Sequence, residues 1–150
     1  MRAVIQRVKD ASVEVGGVVH GQIESGLLIL LGVEEADTGE DVTWLSRKIV
    51  RMRILDDEKG VMNESVLDQN GGILVISQFT LHASTKKGNR PSYIKAARPE
   101  TAESLYLAFI NALNKDINST VQSGVFGANM QVKFTNDGPV TILLDSKRPE

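Results

Sequence analysis

A Gly-Pro pair lies near the C-terminus, inside a stretch whose composition is otherwise typical of β-strands. Gly138 and Pro139 separate residues 132–136 from residues 140–144, and both flanking segments are rich in β-branched and apolar residues. Proline donates no backbone N–H, so the pair marks a turn, a sheet edge, or backbone held out of the sheet. A hairpin turn is the commonest of these. The alternative is a backbone segment that presents its carbonyl groups to a ligand.

Composition narrows the class of protein. The 150 residues are 41% hydrophobic, which predicts one globular domain over residues 1–150. The absence of cysteine excludes disulfides, thiolate metal sites and thiol nucleophiles. Residues 1–8 alternate in polarity without a long apolar run, so we expect neither a signal peptide nor a membrane anchor. We therefore expect a cytoplasmic protein.

The two halves of the chain carry opposite charge. Residues 1–75 have a net charge of −5 and residues 76–150 a net charge of +3. No acidic residue occurs between Asp68 and Glu100, an interval that contains Lys86, Lys87, Arg90, Lys95 and Arg98. This cationic segment is either a solvated loop or a surface that contacts the phosphates of a short stretch of nucleic acid.

Hydrophobic periodicity predicts more strands than helices. Strands are expected at 2–8, 12–15, 18–24, 26–33 and 72–76, with two or three more after residue 115. A capping box from Asp37 to Glu40 starts a helix over about 38–53, and Pro99 starts a second over about 99–115. The pattern predicts an α+β domain with a mostly antiparallel, barrel-like sheet and two main helices.

Few residues are candidates for conventional catalysis. The chain lacks HExxH, GxSxG and Walker motifs, and its two histidines are His20 and His82. We expect His20 to lie in a strand and His82 to be an incidental surface residue. Residues 56–58 are expected to be a solvated acidic turn and residues 124–127 a hairpin turn. We expect no metal and no cofactor.

Polar residues follow the buried strand at 72–76, where a rigid element would position them. These residues are Ser77, Gln78, Phe79 and Thr80. Ordinary strand-end hydrogen bonding would explain them, and their hydroxyls would need a base to act as nucleophiles. No Asp, Glu, His or Lys occurs from Gln69 to Leu81. Backbone N–H groups at the strand end could instead stabilise an oxyanion without titrating.

Five segments of the sequence together resemble the D-aminoacyl-tRNA deacylase family. They are MRAVIQRV at 1–8, GLLILLGV at 26–33, SQFTL at 77–81, KGNRPS at 87–92 and NDGPVT at 136–141. The SQFTL and NxGPVT signatures, in this order and at this separation, make the resemblance specific. It implies a homodimeric, metal-free tRNA editing hydrolase that releases D-amino acids, or glycine mischarged on tRNA(Ala), from the terminal adenosine. L-aminoacyl esters would be spared.

The resemblance also implies roles for individual residues. Ser77 and Gln78 would position the substrate, the backbone of Phe79 and Thr80 would supply oxyanion contacts, and the adenosine 2′-OH would help to activate water. A covalent role for Thr80 is the less favoured version. The cationic segment would contact tRNA, although Ser84 and Tyr93 stand where many relatives have Asp and Phe.

The Gly-Pro pair would be the family's Gly-cisPro motif, inserted into the partner subunit's active site to reject L-amino acids. Arg7 would brace the motif, although a surface ion pair at the strand edge would equally explain this arginine. Asn136, Val140 and Thr141 belong to the same signature and would support it.

Two other classes of function are compatible with the residues alone. A noncatalytic RNA-end binding module would explain the charge asymmetry and would bind without deacylation. A Ser/Thr-dependent hydrolase of small esters would depend on Thr80 and would not need tRNA.

Overall fold

A computed structural model describes residues 1–149, which form one six-stranded sheet, a two-stranded ribbon and two α-helices. The elements in chain order are β1 (Arg2–Val15), β2 (Val18–Ile23), β3 (Gly26–Gly32), α1 (Gly39–Arg51), β4 (Leu55–Asp56), β5 (Met62–Glu64), β6 (Gly72–Ser77), a 3₁₀ helix (Phe79–His82), α2 (Pro99–Asp116), β7 (Val121–Ser123) and β8 (Gln131–Asp145).

The long strand β1 organises the sheet, whose order is β2-β1-β3-β6-β7 with β8 also paired to β1. The first part of β1 pairs with β3 and its last part with β2, while β8 pairs along nearly its whole length. These three pairings are antiparallel, whereas β3, β6 and β7 run parallel to one another. The predicted α+β, barrel-like sheet is confirmed. The separate strands expected at 2–8 and 12–15 are one strand.

The core has two parts because the central strands are buried on both faces, as their continuous apolar sequences predict. Leu27 and Ile73 belong to the cluster beneath the helices, and Leu28 and Leu74 to the cluster on the opposite face. Both helices bury one apolar stripe against the sheet. The buried residues are Val42, Leu45, Ile49 and Val50 in α1, and Tyr106, Phe109 and Leu113 in α2.

The predicted helices are confirmed, with a different cap at the start of α1. Thr38 is the N-cap, and its amide donates to the Asp41 carboxylate at 2.8 Å, in place of the expected Asp37–Glu40 pair. Asp37 instead accepts from the Glu34 amide at 2.8 Å. Pro99 starts α2 as expected.

The hairpin expected at 124–127 is wrong. The strands on either side of it do not pair with each other, because β7 pairs with β6 and β8 with β1. Two short strands, β4 and β5, form a ribbon that the sequence pattern did not predict. No helix within residues 1–149 is long and apolar enough to span a membrane.

We expect Phe109→Ala to lower the free energy of unfolding by about 3–5 kcal/mol, because the ring is fully buried and its loss leaves a cavity. Leu107→Ala is the matched control on the same helix, since Leu107 is 51% exposed, and should cost less than about 1 kcal/mol. Urea unfolding of both variants measures the difference. Equal losses would contradict the packing described for α2.

Candidate functional site

The residues that follow β6 turn sharply after the strand ends. Ser77 is the last residue of β6, and the Gln78 amide donates to the Leu31 carbonyl at 2.8 Å. The chain then forms the 3₁₀ helix from Phe79 to His82. The first N–H groups of a helical turn have no partner inside it. Phe79 and Thr80 therefore offer two adjacent N–H groups at the end of a rigid strand.

Among the hydrogen bonds of residues 1–149, no titratable side chain contacts Ser77, Gln78, Phe79 or Thr80. The Thr80 hydroxyl accepts a hydrogen bond from the Gln78 side-chain amide. The threonine hydroxyl therefore faces an amide and not a base. This geometry disfavours Thr80 as an activated nucleophile.

The expectation that His82 is a surface residue is wrong, because only 2% of it is exposed. The 3₁₀ turn directs the ring inward against β3, where a Cβ at Gly32 would lie 3.1 Å from His82 Cδ2. His82 Nδ1 lies 3.7 Å from the Glu34 carboxylate, and neither ring nitrogen has a hydrogen-bond partner among residues 1–149. The buried ring of His82 therefore fills the space between the 3₁₀ turn and β3. His20 lies in β2 and is exposed, as expected of a strand residue.

A pocket of about 640 Å³ opens beside the strand end. Its size is typical of a site for a small organic group. Ser77, Gln78 and Phe79 form one side, and Phe79 makes an edge-to-face contact with Tyr93 at 5.1 Å between ring centroids. Tyr106 also lines the pocket, where burial raises the pKa of its hydroxyl to about 12 and outweighs the hydrogen bond with Ser123. The hydroxyl stays protonated and donates to the Val75 carbonyl at 3.0 Å.

Sequence reasoning missed most of the apolar walls of this pocket. They come from distant parts of the chain, and include Tyr106, Phe126, Met130 and Val132. The sequence predicts a helix over about 99–115, but not that Tyr106 faces the strand end. No local pattern connects that helix with the loop after β7.

The Gly-Pro pair lies in a bulge within β8. Pairing with β1 passes from Asn136, opposite Val8, to Thr141, opposite Gln6, so residues 137–140 face only Arg7. The Gly138–Pro139 peptide bond is cis, and both residues are exposed. The hairpin alternative is therefore wrong, and the backbone is held out of the sheet.

Arg7 holds this bulge from beneath. Its Nε donates to the Asp137 carbonyl at 3.0 Å, and its Nη1 donates to the Ile54 carbonyl at 3.0 Å and to Asp56 Oδ1 at 2.9 Å. Only 10% of the side chain is exposed, so Arg7 is not a surface ion pair. A Cβ at Gly138 would lie 3.1 Å from Arg7 Nη2 and 2.9 Å from Val140, at a φ of +128°. Glycine is therefore required at this position.

Asn136 and Thr141 flank the bulge on β8. Their side chains approach to 3.5 Å between Asn136 Nδ2 and Thr141 Oγ1, which is a weak hydrogen bond. Asn136 Oδ1 is buried and has no donor among residues 1–149. Water, a group from another molecule, or a flipped amide that accepts from the Thr141 hydroxyl can satisfy it.

The bulge and the strand end lie far apart within one chain. Ser77 pairs with Leu31, and Leu31 pairs with Ala3 of β1, whereas the bulge lies opposite Arg7. Four residues of strand span about 13 Å, and the three strand spacings from β8 to β6 add about 14 Å across the sheet. No hydrogen bond joins the two segments. The structure brings Arg7, the bulge and its flanking residues together, and it places the 77–80 segment elsewhere.

The cationic segment borders the pocket through Tyr93, which contacts Phe79. It is closed by mutual backbone hydrogen bonds between Ser84 and Ser92 at 2.9 Å, and the Ala97 amide anchors it to Val33 at 3.0 Å. All five of its cations are exposed, and none forms a salt bridge with another described residue: Lys86, Lys87, Arg90, Lys95 and Arg98. Within residues 1–149, no group of three His, Asp or Glu side chains is placed to hold a metal ion.

Comparison with known proteins identifies the class to which this fold and site belong. A family model described as D-Tyr-tRNA(Tyr) deacylase matches residues 4–145. A D-aminoacyl-tRNA deacylase of Flavobacterium johnsoniae is 57% identical over 150 residues, with all of both chains covered. The chain belongs to the D-Tyr-tRNA(Tyr) deacylase family. The resemblance inferred from the five motifs is confirmed, and with it the assignment to the hydrolases.

Solved structures agree with the fold. A c-Myc DNA unwinding element binding protein is 43% identical and superposes with a TM-score of 0.92, covering 97% of this chain and 98% of that chain. A probable eukaryotic D-amino acid tRNA deacylase superposes with a TM-score of 0.82 at 16% identity, covering 95% and 97%. The second structure shares the fold although little sequence identity remains.

We expect Arg7→Lys to destabilise the bulge, because an ammonium cannot reproduce the guanidinium's contacts with three separate residues. The free energy of unfolding should fall by about 2 kcal/mol. Amide hydrogen exchange at Gly138 and Val140 should accelerate. Arg53→Lys is the matched control, because Arg53 is exposed and hydrogen-bonds to Asn63. Similar effects of the two substitutions would show that Arg7 does not brace the bulge.

Proposed function

We propose that the protein hydrolyses the ester between a D-amino acid and the terminal adenosine of tRNA, releasing free D-amino acid and tRNA. The observation that supports this most is the pair of N–H groups at Phe79 and Thr80, beside a pocket with no base on the 77–80 residues. An ester is activated enough to be cleaved by water when its tetrahedral intermediate is stabilised.

In the proposed reaction, water attacks the ester carbonyl and the bond between the acyl carbon and the ribose oxygen breaks. The Phe79 and Thr80 N–H groups bind the developing oxyanion, while Ser77 and Gln78 position the acyl group. The 2′-OH of the terminal adenosine helps to activate the water, and the ribose oxygen leaves with a proton. The substrate thus supplies the polar group that the site lacks.

We further propose that the Gly-Pro bulge of one subunit completes the site of its partner in a homodimer. The separation of the bulge from the strand end within one chain supports this arrangement, as does the exposure of Gly138 and Pro139. Rejecting an L-amino acid by a factor of 10³ needs about 4 kcal/mol. A soft apolar pocket supplies only about 1–3 kcal/mol per methylene. Backbone carbonyls held rigidly by Arg7 can collide with an L side chain and supply the rest.

Glycine has no side chain to collide with those carbonyls, so glycine mischarged on tRNA(Ala) is also a substrate in this proposal. The exposed cations of the 86–98 segment contact the tRNA backbone near the pocket. Neither a metal nor a cofactor takes part. The substrate places the enzyme in the cytoplasm.

Nucleic-acid binding without catalysis is the second candidate. The exposed cations of the 86–98 segment favour it, and the 43% identical relative is named a c-Myc DNA unwinding element binding protein. This alternative differs from the first in one measurable respect, since it produces no free amino acid.

The first test compares D-tyrosyl-tRNA with L-tyrosyl-tRNA as substrates. We expect the D ester to be hydrolysed at least about 10³ times faster, as measured by release of the labelled amino acid. Equal rates would refute the role proposed for Gly138 and Pro139. Binding without release of either amino acid would favour the noncatalytic alternative.

A second test separates RNA-assisted from side-chain catalysis. A D-tyrosyl-tRNA that ends in 2′-deoxyadenosine should be cleaved at least about 10²-fold more slowly, because the group that helps to activate water is missing. Thr80→Ala should retain activity within about tenfold on the normal substrate, since the backbone N–H remains. Unchanged turnover of the deoxy substrate, together with an inactive Thr80→Ala enzyme, would instead favour a hydroxyl nucleophile.

A further inference from the structure

A second cationic surface lies on α1, in the half of the chain whose net charge is −5. Trp44, Arg47, Lys48 and Arg51 border a shallow hollow of about 880 Å³. Spacings of three, four and seven residues place these side chains on one stripe of the helix, opposite the buried stripe of Leu45 and Ile49. We call this surface the α1 hollow.

The cations of the α1 hollow are not neutralised by neighbouring carboxylates. Arg47, Lys48 and Arg51 are exposed, and no salt bridge joins any of them to a carboxylate within residues 1–149. Glu40 also borders the hollow, but it precedes Arg47 by seven residues, or about 10 Å along the helix. That distance is about one Debye length at physiological salt, so the charge of Glu40 does little to offset the positive potential of the arginines.

The aromatic residue of the hollow adds a planar surface among these charges. Trp44 is half-buried, and Lys48 Nζ lies 5.9 Å from the centroid of its ring. A cation over an indole face is held near the helix surface. The hollow thus combines a fixed ammonium with two guanidinium groups, whose planar donors suit phosphate oxygens.

The hollow adjoins a groove that reaches Leu81, the residue after the 77–80 segment. Trp44 also borders a groove of about 320 Å³ whose walls include Leu81, Arg2 and Arg148. Leu81 directly follows Thr80, and the Leu81 carbonyl accepts from Arg2 Nη1 at 3.0 Å. Asp145 also lines this groove and pairs with Arg2 at 3.0 Å, so the cationic character of the path from Leu81 past Trp44 to Arg51 comes from Arg148 and the α1 hollow.

We propose that the α1 hollow binds the phosphodiester backbone of the acceptor stem of the RNA whose 3′ end occupies the pocket. This inference rests on the proposed function and adds a contact surface distinct from the 86–98 segment. The terminal nucleotides fill the pocket and the groove, so the part of the RNA that reaches α1 lies upstream in the stem. From Trp44 to Arg51 the helix rises about 10 Å, which matches about three nucleotide steps of a strand.

The test compares two double variants that remove the same charge. Arg47→Gln with Arg51→Gln alters the hollow and leaves the Lys48–Trp44 contact in place. Lys59→Gln with Lys115→Gln removes two exposed cations from other surfaces. Both probes are RNAs that carry no amino acid: a hairpin that reproduces the acceptor arm, and the single-stranded tetranucleotide of its 3′ end. Fluorescence anisotropy measures binding from 50 to 200 mM salt.

For the hairpin, the R47Q/R51Q variant should bind about tenfold more weakly at 0.1 M salt, and the slope of log K against log salt should fall by about 1.4–1.8. The control should change affinity less than about threefold, as should R47Q/R51Q with the tetranucleotide. Equal losses in both variants would overturn the inference, because the effect would then reflect net charge alone. An equal loss with hairpin and tetranucleotide would also overturn it, because the contact would lie at the 3′ end.

Failure of this inference differs from failure of the proposed function. A wild-type protein that cleaves D-tyrosyl-tRNA, together with R47Q/R51Q that binds the hairpin normally, refutes the α1 contact and leaves the deacylase intact. A wild-type protein that binds the hairpin with the expected salt slope but cleaves neither ester refutes the deacylase. In that case a weaker R47Q/R51Q complex still supports the α1 contact.

Discussion

The pairing of β1 along both edges is the constraint on which the rest of the molecule depends. Its first half fixes β3, and through β3 the parallel strand β6 that carries Ser77. Its other edge fixes β8 and the bulge. Because sheet register is set in steps of one residue, these pairings determine both where the strand end lies and where the bulge lies. The bulge cannot shift without breaking hydrogen bonds between β8 and β1, and the strand end cannot shift without breaking those between β6 and β3.

Arg7 adds a second level of constraint at the middle of this strand. A buried guanidinium is costly unless its donors are satisfied, and here they reach two backbone carbonyls and a carboxylate from separate parts of the chain. The arrangement ties the bulge to the residues just before and within β4. Rigidity of the bulge matters because a backbone carbonyl can exclude a side chain only if it keeps its position when the side chain approaches. The exposed surface of the bulge is therefore supported by one of the least exposed charged groups in the structure.

Local sequence patterns predicted the elements whose formation is local. The buried strand at 72–76 and the two helices were predicted from hydrophobic periodicity, because burial on two faces or on one stripe leaves a direct signature. The break between the strands predicted at 12–15 and 18–24 has an equally local cause, since Gly16 and Gly17 both adopt the positive φ that a tight turn needs. The site residues after β6 were found because polar residues at a strand end stand out against an apolar strand.

The errors concern features that depend on distant partners. A Gly-Pro pair has the same local signature in a hairpin and in a bulge, and only the pairing of β8 with β1 distinguishes them. Burial of His82 depends on the 3₁₀ turn and on the space left by Gly32. The walls of the pocket come from α2 and from the loop after β7, and the cations of α1 were hidden by the acidic average of the first half. In each case the missing information is which segments meet.

The separation of the bulge from the strand end gives the proposed dimer a genetic property. If each site takes its pocket from one subunit and its filter from the other, two defective chains can restore one complete site between them. A chain with a damaged pocket would still lend an intact bulge to a partner whose own bulge is damaged. Such a mixed dimer would hold one working site and one doubly defective site. Selection at the two segments therefore acts on the pair of subunits. The bulge of one chain determines which stereoisomers the pocket of the other chain accepts.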